Sequence, residues 1–345
     1  MNILVSVYGD STGGRWTATL KTSELLASEG NNVILLIDPI DRENIPLDFD
    51  SKIKILTLKN IGHYDIYASY LAKKILLEHR IQICICHSGR AIYLLKRAAN
   101  KKIPVVAYNH SHNIKRTLKA DAFICITPYM KMIIDKKTNG KKISSIISNS
   151  VAIPENLEIN NNKILTIGSI ARMAPNKGLE HLIYALAILK RNGLDFNAII
   201  AGDGEDRVRL EQLCEINNIS DSVSFIGWIR ADDKAKFYAT ADIICFCSEW
   251  DIQPLVILES FAYAKALIAT NIDGPSSMYT HEETALVINP KSPHELANAI
   301  QRLAHDRALL TTLGENARNR AIREHSEEVI KLKLNDFCKS IAHQE

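Results

Sequence analysis

No stretch of the 345-residue sequence reaches the roughly 18–20 uninterrupted apolar residues that a membrane-spanning helix needs. Glycine and proline are sparse, 15 and 10 in all, which excludes collagen-like and low-complexity chains; a hydrophobic fraction of 46% excludes disorder. The seven cysteines are odd in number and lack the spacing of a disulfide framework, so a reducing compartment is expected. The opening Met-Asn-Ile-Leu-Val-Ser-Val has no basic segment before it and runs into a polar loop, unlike a signal peptide. At about 100–200 residues per domain, the length predicts two domains. The expectation is a soluble, cytoplasmic protein.

What is present is unevenly charged. The net charge of +3 divides into +10 over residues 1–150 and −7 over the rest. Lys96 to Lys142 alone holds 12 basic and 2 acidic residues. Such a field suits an anionic bilayer surface or an acidic acceptor. Nucleic acid is the weakest partner, because the segment has few aromatics for stacking and no binding motif.

Short β-rich runs alternate with helical patterns. In the first half they fall at Asn2–Val7, Asn32–Ile37, Ile53–Leu56, Ile81–Cys86, Val105–Tyr108, Ala122–Thr127 and Ile143–Ile147. Near-continuous apolar strands between helices predict a parallel sheet covered on both faces. The Asn-rich stretch Pro154–Lys163 is the linker candidate. The alternation then restarts with strands at Ile164–Ile167, Phe196–Ala201, Val223–Ile226, Ile243–Phe246, Leu267–Ala269 and Leu286–Ile288. A helix after Gly178 lines up Leu179, Leu182, Ile183, Leu186 and Leu189 on one stripe. The fold class is therefore α/β, two Rossmann-like doubly wound domains facing across a cleft. Their expected extents are 1–157 and 158–326, with a terminal helix at about 327–345 packing back on the first.

Two segments carry chemistry. The strand at Ile164 leads through Arg172 and Lys177 into a helix whose first N–H groups are free, a turn suited to a diphosphate. Arg172 can grip oxygens bidentately, while Lys177 supplies a compact charge. The second segment, Ser248-Glu-Trp-Asp251-Ile-Gln-Pro254-Leu, leads into a helix starting near Pro254 and containing Glu259. Eight helical steps would separate Asp251 and Glu259 by roughly 8–12 Å. That exceeds the close carboxylate pair of a retaining glycosidase, about 5–5.5 Å. It suits two hydroxyl-rich ends of one elongated ligand.

The second half resembles the donor-binding domain of retaining GT-B glycosyltransferases of family GT4. The resemblance rests on Arg172 and Lys177-Gly178, on Gly202-Asp203-Gly204, on Phe225-Ile-Gly227, and on Asp251 with Glu259, in the family's order. It covers roughly Lys163–Asn289. In the first half it extends only to an early Gly13-Gly14 loop and a strand ending at His110. It implies that Arg172 and Lys177 neutralise the diphosphate of a nucleotide sugar, with amides near Leu255 and Val256 assisting. Asp251 would contact the transferred sugar, with Glu249 as the alternative acid, and Glu259 would bind the ribose. Gly13, Gly14 and Gly204 would flank the donor, Trp228 would border the base, and His110 would sit by the reacting sugar.

The implied activity is retaining, metal-independent hexosyl transfer to a glycan or lipid-linked acceptor, in lipopolysaccharide or surface polysaccharide synthesis. No cofactor and no metal is expected, and the basic segment suggests peripheral docking at the inner face of a membrane. The rivals are a sugar-nucleotide 2-epimerase and a non-catalytic nucleotide-sugar-binding module. Cys84/Cys86 and Cys245/Cys247 read as buried free thiols of apolar strands. His87 and His112, like His110, are open to two readings, catalytic histidines or strand-end histidines satisfied by backbone, and Asp10 reads as either a turn residue or an acceptor-side group.

Overall fold

The computed structural model describes residues 1–9, 13–111, 114–157 and 164–342, without the side chains of residues 231 and 232. The Asp10 and His112 expectations lie outside these residues, as does the end of the linker candidate from residue 158. The chain divides into two compact units, Met1–Ser150 with Glu327–Glu345, and Val151–Ser326.

In the first unit the strands are β1 (Asn2–Ser6), β2 (Asn32–Ile37), β3 (Lys54–Thr57), β4 (Ile83–Cys86), β5 (Val105–Asn109), β6 (Ala122–Cys125) and β7 (Ile143–Ile146). Its helices are α1 (Gly14–Ser28), α2 (Ile66–Glu78), α3 (Gly89–Ala99) and α4 (Pro128–Thr138). The sheet order is β3-β2-β1-β4-β5-β6-β7, parallel throughout. Central strands are wholly buried, as in β4 and β5. That is why their sequences read as unbroken apolar runs rather than alternating ones.

The second unit has strands β8 (Leu165–Ile170), β9 (Phe196–Ala201), β10 (Val223–Gly227), β11 (Ile243–Phe246), β12 (Ala266–Thr270) and β13 (Leu286–Ile288). Its helices are α5 (Leu179–Arg191), α6 (Arg207–Ile216), α7 (Ala231–Thr240), α8 (Leu255–Ala262), α9 (Pro293–His305) and α10 (Arg307–Arg320). The order is β10-β9-β8-β11-β12-β13, again parallel. One apolar cluster holds α5, whose five-residue stripe is entirely buried, and a second holds α8. At about 1.5–3 kcal/mol per buried aliphatic side chain, that stripe anchors α5 to the sheet. β8 runs three residues beyond the expected Ile167, because Gly168, Ser169 and Ile170 continue its ladder with β9.

The units meet in sequence at Ser150–Val151, ahead of the expected 157/158 boundary. Val151 pairs with Ser326, its N–H donates to the His325 carbonyl at 2.9 Å, and its side chain joins the second core. These contacts draw residues 151–157 to the second unit. The helix α11 (Glu327–Ala342) lies with the first unit, where Lys21 pairs with Glu327 at 3.1 Å and Asn31 donates to Asn335 at 3.0 Å.

Candidate active site

In each sheet the strand order reverses beside the first strand, between β8 and β11 in the second unit and between β1 and β4 in the first. Connections on either side of such a reversal diverge to opposite faces, and ligands bind at the carboxyl ends of the two strands. The cation loop follows β8 and the acidic loop follows β11, so the topology lays together two motifs far apart in sequence.

Three contacts stitch the loops. Glu249 N–H donates to the Asn176 carbonyl at 3.0 Å, and Lys177 Nζ donates to Asp251 Oδ2 at 2.8 Å. Gly178 backs onto the Cys247 carbonyl so closely that a Cβ would stand 2.1 Å from its oxygen, and its φ of +65° is left-handed. Only glycine satisfies both conditions. On its other flank the cation loop is fixed to the turn after β9. Ala171 N–H donates to the Ala201 carbonyl at 3.0 Å and Met173 N–H to that of Asp203 at 2.9 Å. A Cβ on Gly204 would lie 2.3 Å from the Met173 oxygen. The glycines of this turn thus serve backbone approach to the loop that carries the cations.

Asp251 is held at both oxygens, Oδ2 by Lys177 and Oδ1 by the Ile252 N–H at 2.8 Å. The pair is mostly buried. Arg172, largely exposed, donates from its Nη2 to both carboxylate oxygens of Glu205, at 2.9 and 3.1 Å. Glu249 faces elsewhere, with Oε1 3.4 Å from His181 Nε2 and Oε2 2.9 Å from Lys291 Nζ. Pro254 caps α8 from just outside rather than opening it, and Leu255 and Val256 form its first turn, where N–H groups have no partner in the helix. Glu259, inside α8, accepts from Lys234 Nζ at 2.5 Å and from the Tyr238 hydroxyl at 3.0 Å. Burial and the Glu259 carboxylate push the Tyr238 hydroxyl well above its usual pKa. Trp228 follows β10 on the sheet's edge and is exposed.

In the first unit Gly13 caps α1 and Gly14 is its first residue; a Cβ on Gly14 would meet nothing within 4 Å among the described residues. His110 follows β5, and His87 follows β4. His87 Nδ1 and His110 Nε2 are 2.8 Å apart. Of the two readings open for His87, satisfaction of its ring by backbone is corrected: the partner of Nδ1 is a second imidazole, because neighbouring parallel strands end side by side. Arg15 and Arg90 approach the same edge, their Nη2 atoms 3.1 and 3.2 Å from where a Cβ on Gly9 would stand. Loss of hydration, reinforced by the Arg15 cation, holds His110 down to about 3; His87 falls well below its usual value by burial, with His110 and Arg15 adding to it. Both rings are neutral at physiological pH.

The seven cysteines are free and buried. Sequence reasoning missed Glu205, His181, Lys234, Tyr238 and Lys291, which no motif marks. For His87 a signal existed, since it terminates a central parallel strand next to the reversal.

Residues 152–320 match the family model described as Glycosyl transferases group 1. An uncharacterized glycosyltransferase of Haemophilus influenzae is 24% identical over 331 residues, 89% of this chain and 91% of that protein. The lipopolysaccharide core biosynthesis glycosyltransferase LpsE of Rhizobium meliloti is 28% identical over 216 residues, 61% of this chain and 62% of its own length. Several other curated relatives are matched over less than half of their length. Among solved structures, Anabaena Alr3699/HepE in complex with UDP superposes with a TM-score of 0.81 at 19% identity, covering 99% of this chain and 100% of that one. The fold is that of the GT-B glycosyltransferases, two parallel-sheet Rossmann-like domains. The sequence matches make the chain similar to glycosyltransferases, and the structural match shows the fold.

Proposed function

We propose that the protein is a retaining glycosyltransferase of the GT4 kind that moves a hexose from a nucleotide-diphosphate sugar to a hydroxyl of a glycan or lipid-linked acceptor. The observation that carries this reading is the stitching of the Arg172/Lys177 loop to the Asp251 loop beside the strand-order reversal of the second sheet. As the bond to the sugar loosens, negative charge gathers on the diphosphate. Arg172, Lys177 and the first N–H groups of α8 are the donors that favour that transition state, one such donor being worth about 3–4 kcal/mol. In this reading the cations take the part that a divalent metal plays elsewhere, and the departing phosphate accepts the acceptor's proton on the same face. Asp251, oriented by Lys177 and the Ile252 amide, contacts sugar hydroxyls, and Glu259 the ribose. The UDP bound by the HepE structure agrees with a nucleotide-diphosphate donor.

A lipopolysaccharide-type or surface-glycan acceptor, met at the inner face of an anionic membrane, completes the proposal. The R. meliloti relative agrees with it. So does the first unit's surface. Ile61 and Tyr64 just before α2, and Ile66, Tyr67 and Tyr70 in its first turns, are all exposed. Lys74 lies 4.8 Å over the Tyr70 ring, and Tyr64 touches Tyr93, over which Lys119 sits at 5.8 Å. Tyrosines interleaved with lysines suit a headgroup layer. Not every cation of the basic segment is available: Lys96 and Lys131 pair with Asp121 and Asp135, and Lys142 donates to the Leu118 and Ala120 carbonyls. Among the described residues no helix is long and apolar enough to cross a membrane. The test of the activity is release of nucleoside diphosphate from UDP-, GDP- or ADP-sugars with and without an added acceptor. Acceptor-dependent release with retained anomeric configuration supports it; altered donor stereochemistry without acceptor would instead identify an epimerase.

A further inference from the structure

The geometry around His110 goes beyond a lone histidine at a strand end. The planes of His87 and His110 are 17° apart and their centres 5.0 Å, about the 2.8 Å N–N distance plus two ring radii. The bond therefore runs nearly within the plane of both rings, along the N–H and lone-pair directions. Tyr108, on the same face of β5 two residues before His110, is stacked on both. It lies 4.8 Å from His110 at 3° and 4.6 Å from His87 at 20°. Both imidazoles are thus clamped in orientation.

Two neutral imidazole nitrogens at this distance share one proton, so the tautomers of the two rings are tied together. The other nitrogen of His87, Nε2, is buried and has no hydrogen-bond partner among the described residues. Were the shared proton on His110, His87 would have to carry its own on Nε2, leaving a buried N–H without an acceptor. With the shared proton on His87, its Nε2 is a bare lone pair instead. Orphaned buried donors are the rarer of the two defects in folded proteins. His110 is only partly buried, and its Nδ1 makes no hydrogen bond to any described residue.

We infer that His87 is a positioning residue: it donates its Nδ1–H to Nε2 of His110 and fixes His110 as the Nδ1–H tautomer, a hydrogen-bond donor to a carbohydrate hydroxyl oxygen. The carbohydrate in that statement rests on the proposed transfer reaction; the tautomer does not. Proton abstraction by His110 is excluded in this arrangement, because its one lone pair is occupied.

The experiment is ring 15N–1H correlation spectroscopy of the full chain labelled at histidine, with His110 assigned by His110→Ala. The wild type is expected to show a protonated Nδ1 and a hydrogen-bonded, unprotonated Nε2 at His110. His87→Phe keeps the stack on Tyr108 and removes the donor, so the His110 pattern shifts towards the Nε2–H form. His87→Asn, whose side-chain amide can take the place of Nδ1–H, restores the wild-type pattern. In transfer assays His87→Phe lowers kcat by about tenfold or more with donor KM little changed, and His87→Asn recovers most of it. An Nε2–H tautomer in the wild type overturns the inference without any variant, as does a His110 spectrum unaltered by His87→Phe. Absence of transfer activity with the expected spectrum would remove the proposed function and leave the tautomer assignment standing.

Discussion

Lys177 Nζ stands 2.8 Å from Asp251 Oδ2, although 74 residues separate the two in sequence. A cation suited to a diphosphate and a carboxylate suited to a sugar thus orient one another before any ligand group is considered. The pair acts as one unit, and substitutions in it should behave accordingly.

Arg172→Ala and Lys177→Ala are each expected to lower turnover at least about 100-fold, the scale of losing one pre-placed donor. Combining Lys177→Ala with Asp251→Asn should cost little more than the worse single change. Acceptor-dependent nucleoside diphosphate release measures both. Near-normal rates in either cation variant would remove the phosphate-clamp assignment.

Gly178→Ala places a methyl group 2.1 Å from the Cys247 oxygen at a left-handed φ. A loss of about 2–4 kcal/mol in urea unfolding is expected, since the backbone must shift and strain is retained. Binding of nucleotide sugar should weaken in parallel, because the loops separate. Unchanged stability would mean that the two loops are not held together at this position.

Tyr238→Phe deletes the hydroxyl by which the buried Tyr238 donates to the partly buried Glu259 at 3.0 Å. A hydrogen bond to a charged group is worth about 1.5–3 kcal/mol, so stability should fall by that amount. If Glu259 holds the ribose, Glu259→Gln should weaken nucleotide binding in calorimetry more than it alters kcat. Equal affinity in Glu259→Gln would detach Glu259 from the nucleotide.

His87 and His110 titrate below the ordinary imidazole value in the folded chain. The unfolded chain takes up protons near pH 6.5 while the folded chain resists until about pH 3 at His110. Stability is therefore complete above about pH 6.5 and declines as pH falls towards 3, by up to about 1.4 kcal/mol per pH unit per ring. Urea unfolding between about pH 7 and 4.5 should show a shallower decline in His110→Asn than in the wild type. Identical slopes would contradict the neutral imidazole pair.

Sedimentation with vesicles tests the membrane reading. Binding is expected to require anionic lipid, to fall with salt, and to weaken several-fold in a Tyr64→Ser, Tyr67→Ser double variant at constant charge. Binding that is indifferent to both lipid charge and salt would exclude electrostatic docking.

Much of this was legible beforehand. Strands such as Asn32–Ile37 and Ile243–Phe246 coincide with their apolar runs, because a strand covered on both faces needs apolar residues at every position. The α5 stripe was equally plain from its spacing. Lys234 and Tyr238 escaped notice because a helix presents its neighbours by three-dimensional packing, and nothing in α7 marks which residues face Glu259. For His87 the sequence left a catalytic and a backbone-satisfied reading open, since lateral pairing of β4 with β5 is not written in either strand alone.

By itself the sequence determined the alternation of strands and helices, the positions of the two cations and the acids, and the glycines that permit close backbone approach. These depend on local periodicity and residue chemistry. Only the tertiary structure decided which of those groups meet. Strand order sets which loops emerge side by side, and so gave Lys177 to Asp251, Arg172 to Glu205 and His110 to His87. Burial then fixed the protonation of the imidazoles, a property of surroundings that no single residue carries.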